Sequence, residues 1–150
     1  MLKLIRTNSN NKDFIKLVNQ LDKELTIRDG DEHDFYDQFN KIDNIKYVVV
    51  AYENEKPISC GAIKEFDTET MEVKRMFTQV DVRGKGIASK VLDELEKWTT
   101  ELGYQKCILE TGVRQPEAIQ LYTKSGYKLI ENYGQYKGVE NSRCFEKIMQ

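Results

Sequence analysis

Two glycines one residue apart, Gly84 and Gly86, stand between a strand-like run and a long amphipathic one, and no other feature constrains the fold as much. Glycine tolerates the left-handed backbone of a tight strand-to-helix reversal and lets the main chain approach a ligand closely. Beyond the pair, Ile87, Val91, Leu95, Trp98 and Leu102 step by 4, 4, 3 and 4 along one stripe, which predicts a helix over 86–102. Gly103 ends it. The start of such a helix offers unpaired N–H groups and the positive end of its dipole, which together attract an anion. Arg83, Lys85 and Lys90 add positive charge at the same point. The junction therefore predicts a phosphate or pyrophosphate site, with a glycine turn that binds nothing as its structural alternative.

The flanking sequence alternates strand and helix signals. Strands are expected over 2–6, 47–52, 58–64 and 71–78, with turns at 54–57 and 67–70. Phe14, Leu17, Val18, Leu21 and Leu25 share one helical face over 13–25, and a weaker helix is expected over 34–40. A strand over 106–111 follows the long helix. Pro116 then opens a short helix that Gly126 closes, and strands over 127–133 and 143–149 finish the chain. The order β-α-α-β-β-β-α-β-α-β-β implies an α+β fold, a mixed sheet with helices on its faces. With 150 residues and no repeat or linker, one domain over 1–150 is expected.

Other phosphate loops fit poorly. A Walker A loop is excluded because no Gly-Lys-Ser/Thr follows four residues after a glycine. Gly84-x-Gly86-x-x-Ser89 nearly matches a dinucleotide fingerprint, but it follows antiparallel strands and too little chain remains for that fold. The 23 Lys and Arg against 25 Asp and Glu, with a pI near 5.6, argue against nucleic acid as the main partner. Cys60, Cys107 and Cys144 are odd in number and far apart, so they read as buried small apolar residues rather than disulfides or a zinc site. Residues 1–6 are too short and charged for a signal peptide, and no apolar run reaches the ~18 residues of a membrane span. The expectation is a soluble cytoplasmic chain with no membrane partner and no metal.

Arg83-x-x-Gly86-x-Ala88 resembles the Gln/Arg-x-x-Gly-x-Gly/Ala signature of the GNAT family of N-acetyltransferases. Leu109-Glu110-Thr111, followed by Ala118-Ile119-x-Leu121-Tyr122 and Gly126-Tyr127, resembles the family's second block, and 72–76 looks like its fourth strand. The likeness covers about 45–149. It implies a mostly antiparallel sheet splayed between two parallel strands, 71–78 and 106–111, with acetyl-CoA as co-substrate in the opening. It further implies an acyl-CoA-dependent N-acyltransferase. The pyrophosphate would lie on Arg83, Gly84, Lys85, Gly86, Ile87, Ala88 and Ser89. The pantetheine arm would pair along 77–80, past Phe77, Thr78 and Val80. A main-chain N–H near Met76, Phe77 or Thr78 would polarise the thioester carbonyl. Tyr122, also beside the cofactor, would return a proton to the leaving thiolate, a core tyrosine being the alternative. Glu72 would take the proton of the amine, with Glu110 as the runner-up. Apart from the likeness, Val73 and Met76 stand three apart, which breaks strict alternation and predicts a bulge around 74–75 or a strand end buried on both faces.

Two segments are candidate walls for the acceptor. Asp29, Asp31, Glu32, Asp34 and Asp37 place five carboxylates within nine residues, around the sole histidine, His33. They lack the spacing and terminal Glu of an EF-hand. Asp29, Asp31 and His33 are candidates for guiding a cationic amine, against a solvated acidic turn. The loop over 132–142 carries Tyr133 and Tyr136, whose apolar faces and polar tips suit a small-molecule pocket. Hairpin packing or a homodimer contact are its alternatives. The combined expectation is acetyl transfer to a primary amine of a small molecule or amino acid by direct attack. A protein lysine or N-terminus as acceptor, or a non-catalytic acyl-CoA-binding module, are the alternatives.

Overall fold

The computed structural model describes residues 1–29 and 45–149. In chain order the elements are β1 (Leu2–Thr7), α1 (Lys12–Asp29), β2 (Tyr47–Glu53), β3 (Lys56–Asp67), β4 (Thr70–Thr78), α2 (Ile87–Glu101), β5 (Lys106–Gly112), α3 (Pro116–Lys124), β6 (Lys128–Ile130) and β7 (Ser142–Ile148). Short 3₁₀ turns cover Val80–Val82 and Gly134–Tyr136. The strands form one sheet in the order β1-β2-β3-β4-β5-β7-β6. Among the described residues only β4 and β5 run parallel, and the mixed sheet with helices on its faces is the expected one.

Strand alternation divides the core between two helices. Val49, Ile63, Met71, Val73 and Leu109 point to one face and meet Val91, Leu92 and Leu95 of α2. Val48, Val50, Cys60, Ala62 and Phe77 point to the other and meet Phe14, Leu17, Val18 and Leu21 of α1. Burial of each large side chain contributes about 1.5–3 kcal/mol. All three cysteines are buried and free. Desolvation pushes the Cys60 thiol up to about 12 and the Cys144 thiol to about 11. No helix among the described residues is long and apolar enough to cross a membrane.

Several boundaries differ from the sequence expectation. The β2–β3 turn is only Asn54 and Glu55, with φ of 52° and 68°, the left-handed pair of a two-residue hairpin. Pro57 lies inside β3 opposite Tyr52, where the register shifts; a proline has no N–H for the ladder. The strand expected over 127–133 shrinks to Lys128–Ile130. Tyr127 gives its N–H to the Tyr122 carbonyl, and beyond Ile130 the chain leaves the sheet to carry Tyr133 to Glu72. The helix expected over 34–40 lies outside the described residues.

The feature that opens the sheet is in β4. Its parallel pairing with β5 holds only at Thr70↔Lys106, Met71↔Cys107 and Glu72↔Ile108. Beyond these the strands diverge. On its other side, β4 pairs Lys74 with Ala62 and Phe77 with Cys60, so Gly61 alone faces both Arg75 and Met76. The predicted bulge is real and sits one residue further on. Arg75 adopts φ 59° there. Gly61 is required by packing: a Cβ at this position would lie 2.4 Å from Met76 Sδ, 2.9 Å from Leu95 Cδ1 and 3.1 Å from Val91 Cγ1.

Candidate active site

The first half of the site is made by main chain. Gln79 gives its N–H to Ile58 O at 2.9 Å. Alternation along the ladder turns the neighbouring Thr78 peptide groups away from β3, and the Thr78 carbonyl accepts from Arg83 Nε at 2.7 Å. Arg83 also grips Glu24 of α1 through both Nη atoms, at 3.0 and 2.9 Å, and lies over the Phe77 ring. It thus braces the glycine loop against β4 and α1, and its charge is already engaged. Gly84 and Gly86 have φ of 83° and 79°, and nothing lies within 4 Å of a Cβ built on either. Gly86 is the residue before the first turn of α2. The loop is therefore an open backbone cradle at a helix start, which suits a phosphate.

A cleft of about 350 Å³ runs from this cradle, past Ile87, Ala88 and Ser89, along Phe77 and Thr78 to Met76 and Tyr122. Ten of the twelve residues expected around the cofactor line it: Met76, Phe77, Thr78, Arg83, Gly84, Gly86, Ile87, Ala88, Ser89 and Tyr122. Lys85 and Val80 lie outside its lining. Val80 opens a 3₁₀ turn and is 70% exposed, because β4 ends at Thr78.

The second half is made by side chains. A cavity of about 100 Å³ is bounded by Glu72 and Lys74 of β4, Glu110 of β5, Leu25 of α1 and Tyr136. Tyr133 donates to Glu72 Oε2 at 2.7 Å, and Lys74 Nζ stands 3.7 Å from Glu72 Oε1. Tyr133 itself packs edge-on against Phe66 and Tyr136, with centroids at 5.3 and 5.7 Å. Burial raises the Tyr133 phenol far above the usual range, and the Glu72 carboxylate raises it further. Tyr136 is raised by burial first, then by Glu110 and Glu72. The Tyr133 phenol is the donor that faces the Glu72 carboxylate. Asp31 and His33 lie outside the described residues, as does the side chain of Asp29, the last residue of α1.

Leu21, Met76, Gln115, Ala118 and Tyr122 line both spaces. Tyr122 is buried against Tyr127 and Phe145, with ring centroids at 5.8 and 6.4 Å. Its phenol is pushed up by burial and then by Glu110, so it carries its proton at neutral pH. The aromatic contacts fix the ring at the junction of cleft and cavity.

Sequence reasoning missed the contribution of α1. Gln20, Asp22 and Glu24, spaced two apart, bond to Gln79, Arg75 and Arg83 respectively. They tie the helix to the splayed arm of β4. As isolated polar residues on a helix they carry no signal of this role. Lys74 and Arg75 also line this second cavity. The phase break at Val73–Met76 pointed to their position but not to their charges.

Residues 14–127 match the model of the Acetyltransferase (GNAT) family. The chain is 34% identical over 94 residues to the N-acetyltransferase YsnE of Bacillus subtilis, itself uncharacterized, covering 61% of this chain and 62% of that one. It is 39% identical over 90 residues to an IAA acetyltransferase of Azospirillum brasilense, covering 59% and 58%. The match thus spans about three fifths of the length of these relatives. Among solved structures, a Klebsiella pneumoniae protein named as an acyl-CoA N-acyltransferase superposes with a TM-score of 0.83 at 22% identity, over 100% of this chain and 99% of that one. PaiA N-acetyltransferase from Thermoplasma acidophilum, in complex with coenzyme A, superposes with a TM-score of 0.73 at 15% identity over 99% of each chain. At these identities the two structures speak to the fold.

Proposed function

The chain belongs to the Acetyltransferase (GNAT) family, and we propose that it moves an acetyl group from acetyl-CoA to a primary amine of a small molecule or amino acid by direct attack. One observation carries the reading. The backbone cradle and cleft meet a carboxylate-lined cavity at a single protonated phenol, Tyr122.

The cradle fits a pyrophosphate because Gly84 and Gly86 hold the left-handed backbone that turns the chain into α2, with open space beside both positions. When bound, acetyl-CoA supplies an activated acyl thioester. Arg83, held by Glu24 and the Thr78 carbonyl, fixes the loop so that its N–H groups need no rearrangement on binding. The Thr78 N–H, turned away from β3, is positioned to stabilise charge developing on a carbonyl oxygen, a role often worth about 3 kcal/mol. Glu72 and Glu110 attract the acceptor ammonium and Glu72, with Glu110 as the alternative, takes its proton, because only the free amine is a nucleophile. Tyr122 gives its proton to the departing thiolate. The buried thiols, with Cys60 and Cys144 raised to about 12 and about 11, are poor nucleophiles, which supports direct attack over an acyl-enzyme.

Thiol release from acetyl-CoA across an amine panel tests the reading. Turnover on at least one small primary amine is the expected result. Binding of CoA without turnover on any amine favours the acyl-CoA-binding module. Turnover confined to peptide lysines or N-termini favours a protein acceptor.

A further inference from the structure

We infer that the acceptor carries a carboxylate of its own beside the amine, and that Lys74 is the group that recognises it. The inference rests on the acceptor cavity being where the amine binds.

The argument starts from the register of the splayed strands. Glu72 pairs with Ile108 at the last rung between β4 and β5. Two residues further along each strand, Lys74 and Glu110 occupy the same sheet face on opposite arms of the opening, and both line the cavity. Charge is therefore divided across the gap: a cation on the β4 arm, a carboxylate on the β5 arm and Glu72 at the vertex. The bulge reinforces this division. Without it, Arg75 would point to the α2 face; with it, Arg75 follows Lys74 onto the α1 face and bonds Asp22 at 3.0 Å.

Lys74 is the informative member. Its side chain is only 10% exposed, and its ammonium forms an ion pair with Glu72 Oε1 at 3.7 Å on the wall of the cavity. A cavity built only to draw a cationic amine gains nothing from an ammonium on its wall, since like charges repel more strongly where water is scarce. A carboxylate on the substrate reverses that term. It turns Lys74 into an attraction and leaves the substrate ammonium to Glu72 and Glu110. The cavity, about 100 Å³, is lined by both arms and has room for one compact zwitterion. An α-amino acid or a close relative has this charge pattern; a plain alkylamine or polyamine does not.

The test compares each of several α-amino acids with its own carboxamide, in the wild-type protein and in Lys74→Met and Lys74→Arg. The wild type is expected to favour the acid at least tenfold in kcat/KM. Lys74→Met should bring that ratio close to one while the KM for acetyl-CoA holds, and Lys74→Arg should retain most of the preference. The ratio is the readout because loss of the Lys74 charge also acts on Glu72, and so on both substrates alike. Equal use of acid and amide by the wild type overturns the inference, as does a preference that survives in Lys74→Met. If no amine turns over, the proposed reaction fails on its own account. Calorimetric titration of the same pairs into the CoA-loaded protein then decides the inference separately: tighter binding of the acid sustains it, and equal or absent binding overturns it.

Discussion

The two halves of the site are built from different materials. The cofactor side is consecutive main chain: one segment, 83–89, leaves a strand, turns on two glycines and enters a helix. The proposed acceptor side is assembled from side chains of α1, β4, β5, α3 and the Tyr133–Tyr136 loop. A backbone site is sensitive to backbone geometry and tolerant of side-chain changes such as those at exposed Lys85 or Lys90. A side-chain site has the reverse sensitivities. One half can therefore stay fixed while the other changes its acceptor.

The largest effect is expected where the halves meet. Tyr122→Phe removes the proton donor and should lower kcat by about ten- to a hundredfold while both KM values stay within about twofold. An unchanged kcat removes Tyr122 from the chemistry and leaves the halves without a shared acid. Next is Gly86→Ala. No neighbour crowds the new methyl, so the change acts through the left-handed backbone alone, at about 1–2 kcal/mol. The KM for acetyl-CoA should rise several-fold and the Tm should fall by a few degrees, with the amine KM unmoved. A matching rise in the amine KM would break the contrast between the halves.

A smaller change tests the brace. Glu24→Gln weakens the grip on Arg83, a partly exposed pair worth about 1 kcal/mol or less. The KM for acetyl-CoA should rise less than about threefold, with no change for the amine. The smallest effect is on stability at neutral pH, where the buried thiols contribute no pH dependence. Cys60 holds its proton to about 12 in the folded chain against an ordinary 9.0. The unfolded chain releases that proton first, so stability is level below pH 9.0 and falls as pH rises towards 12. Denaturant midpoints measured from pH 7 to 11 should show a plateau and then a decline; a rise above pH 9 contradicts the burial of Cys60.

This division also explains what could be read from the chain alone. The glycine loop and the α2 stripe are local patterns, complete within about twenty residues, and both appear in the structure where they were expected. The bulge was legible because Val73 and Met76 break alternation within one strand. The brace was not, because Arg83 and Glu24 are 59 residues apart in the chain, as are Gln79 and Gln20, and Arg75 and Asp22 are 53 apart. Tyr133 and Glu72 are separated by 61. The tyrosine loop was recognisable as a wall, but only the early end of β6 revealed which carboxylate it faces. Pro57 misled in the other direction: it read as a turn residue, yet a hairpin of two left-handed residues closed before it and the strand absorbed it at a register shift.

The five residues common to cleft and cavity have a kinetic consequence. With one wall serving both spaces, nothing has to ferry the acyl group from one to the other. In the proposed reaction both reactants stand in the protein together, and neither has to leave before the second arrives. Initial rates measured at several fixed amine concentrations should give double-reciprocal lines that converge, whereas parallel lines would require a covalent carrier for which the buried thiols offer no site.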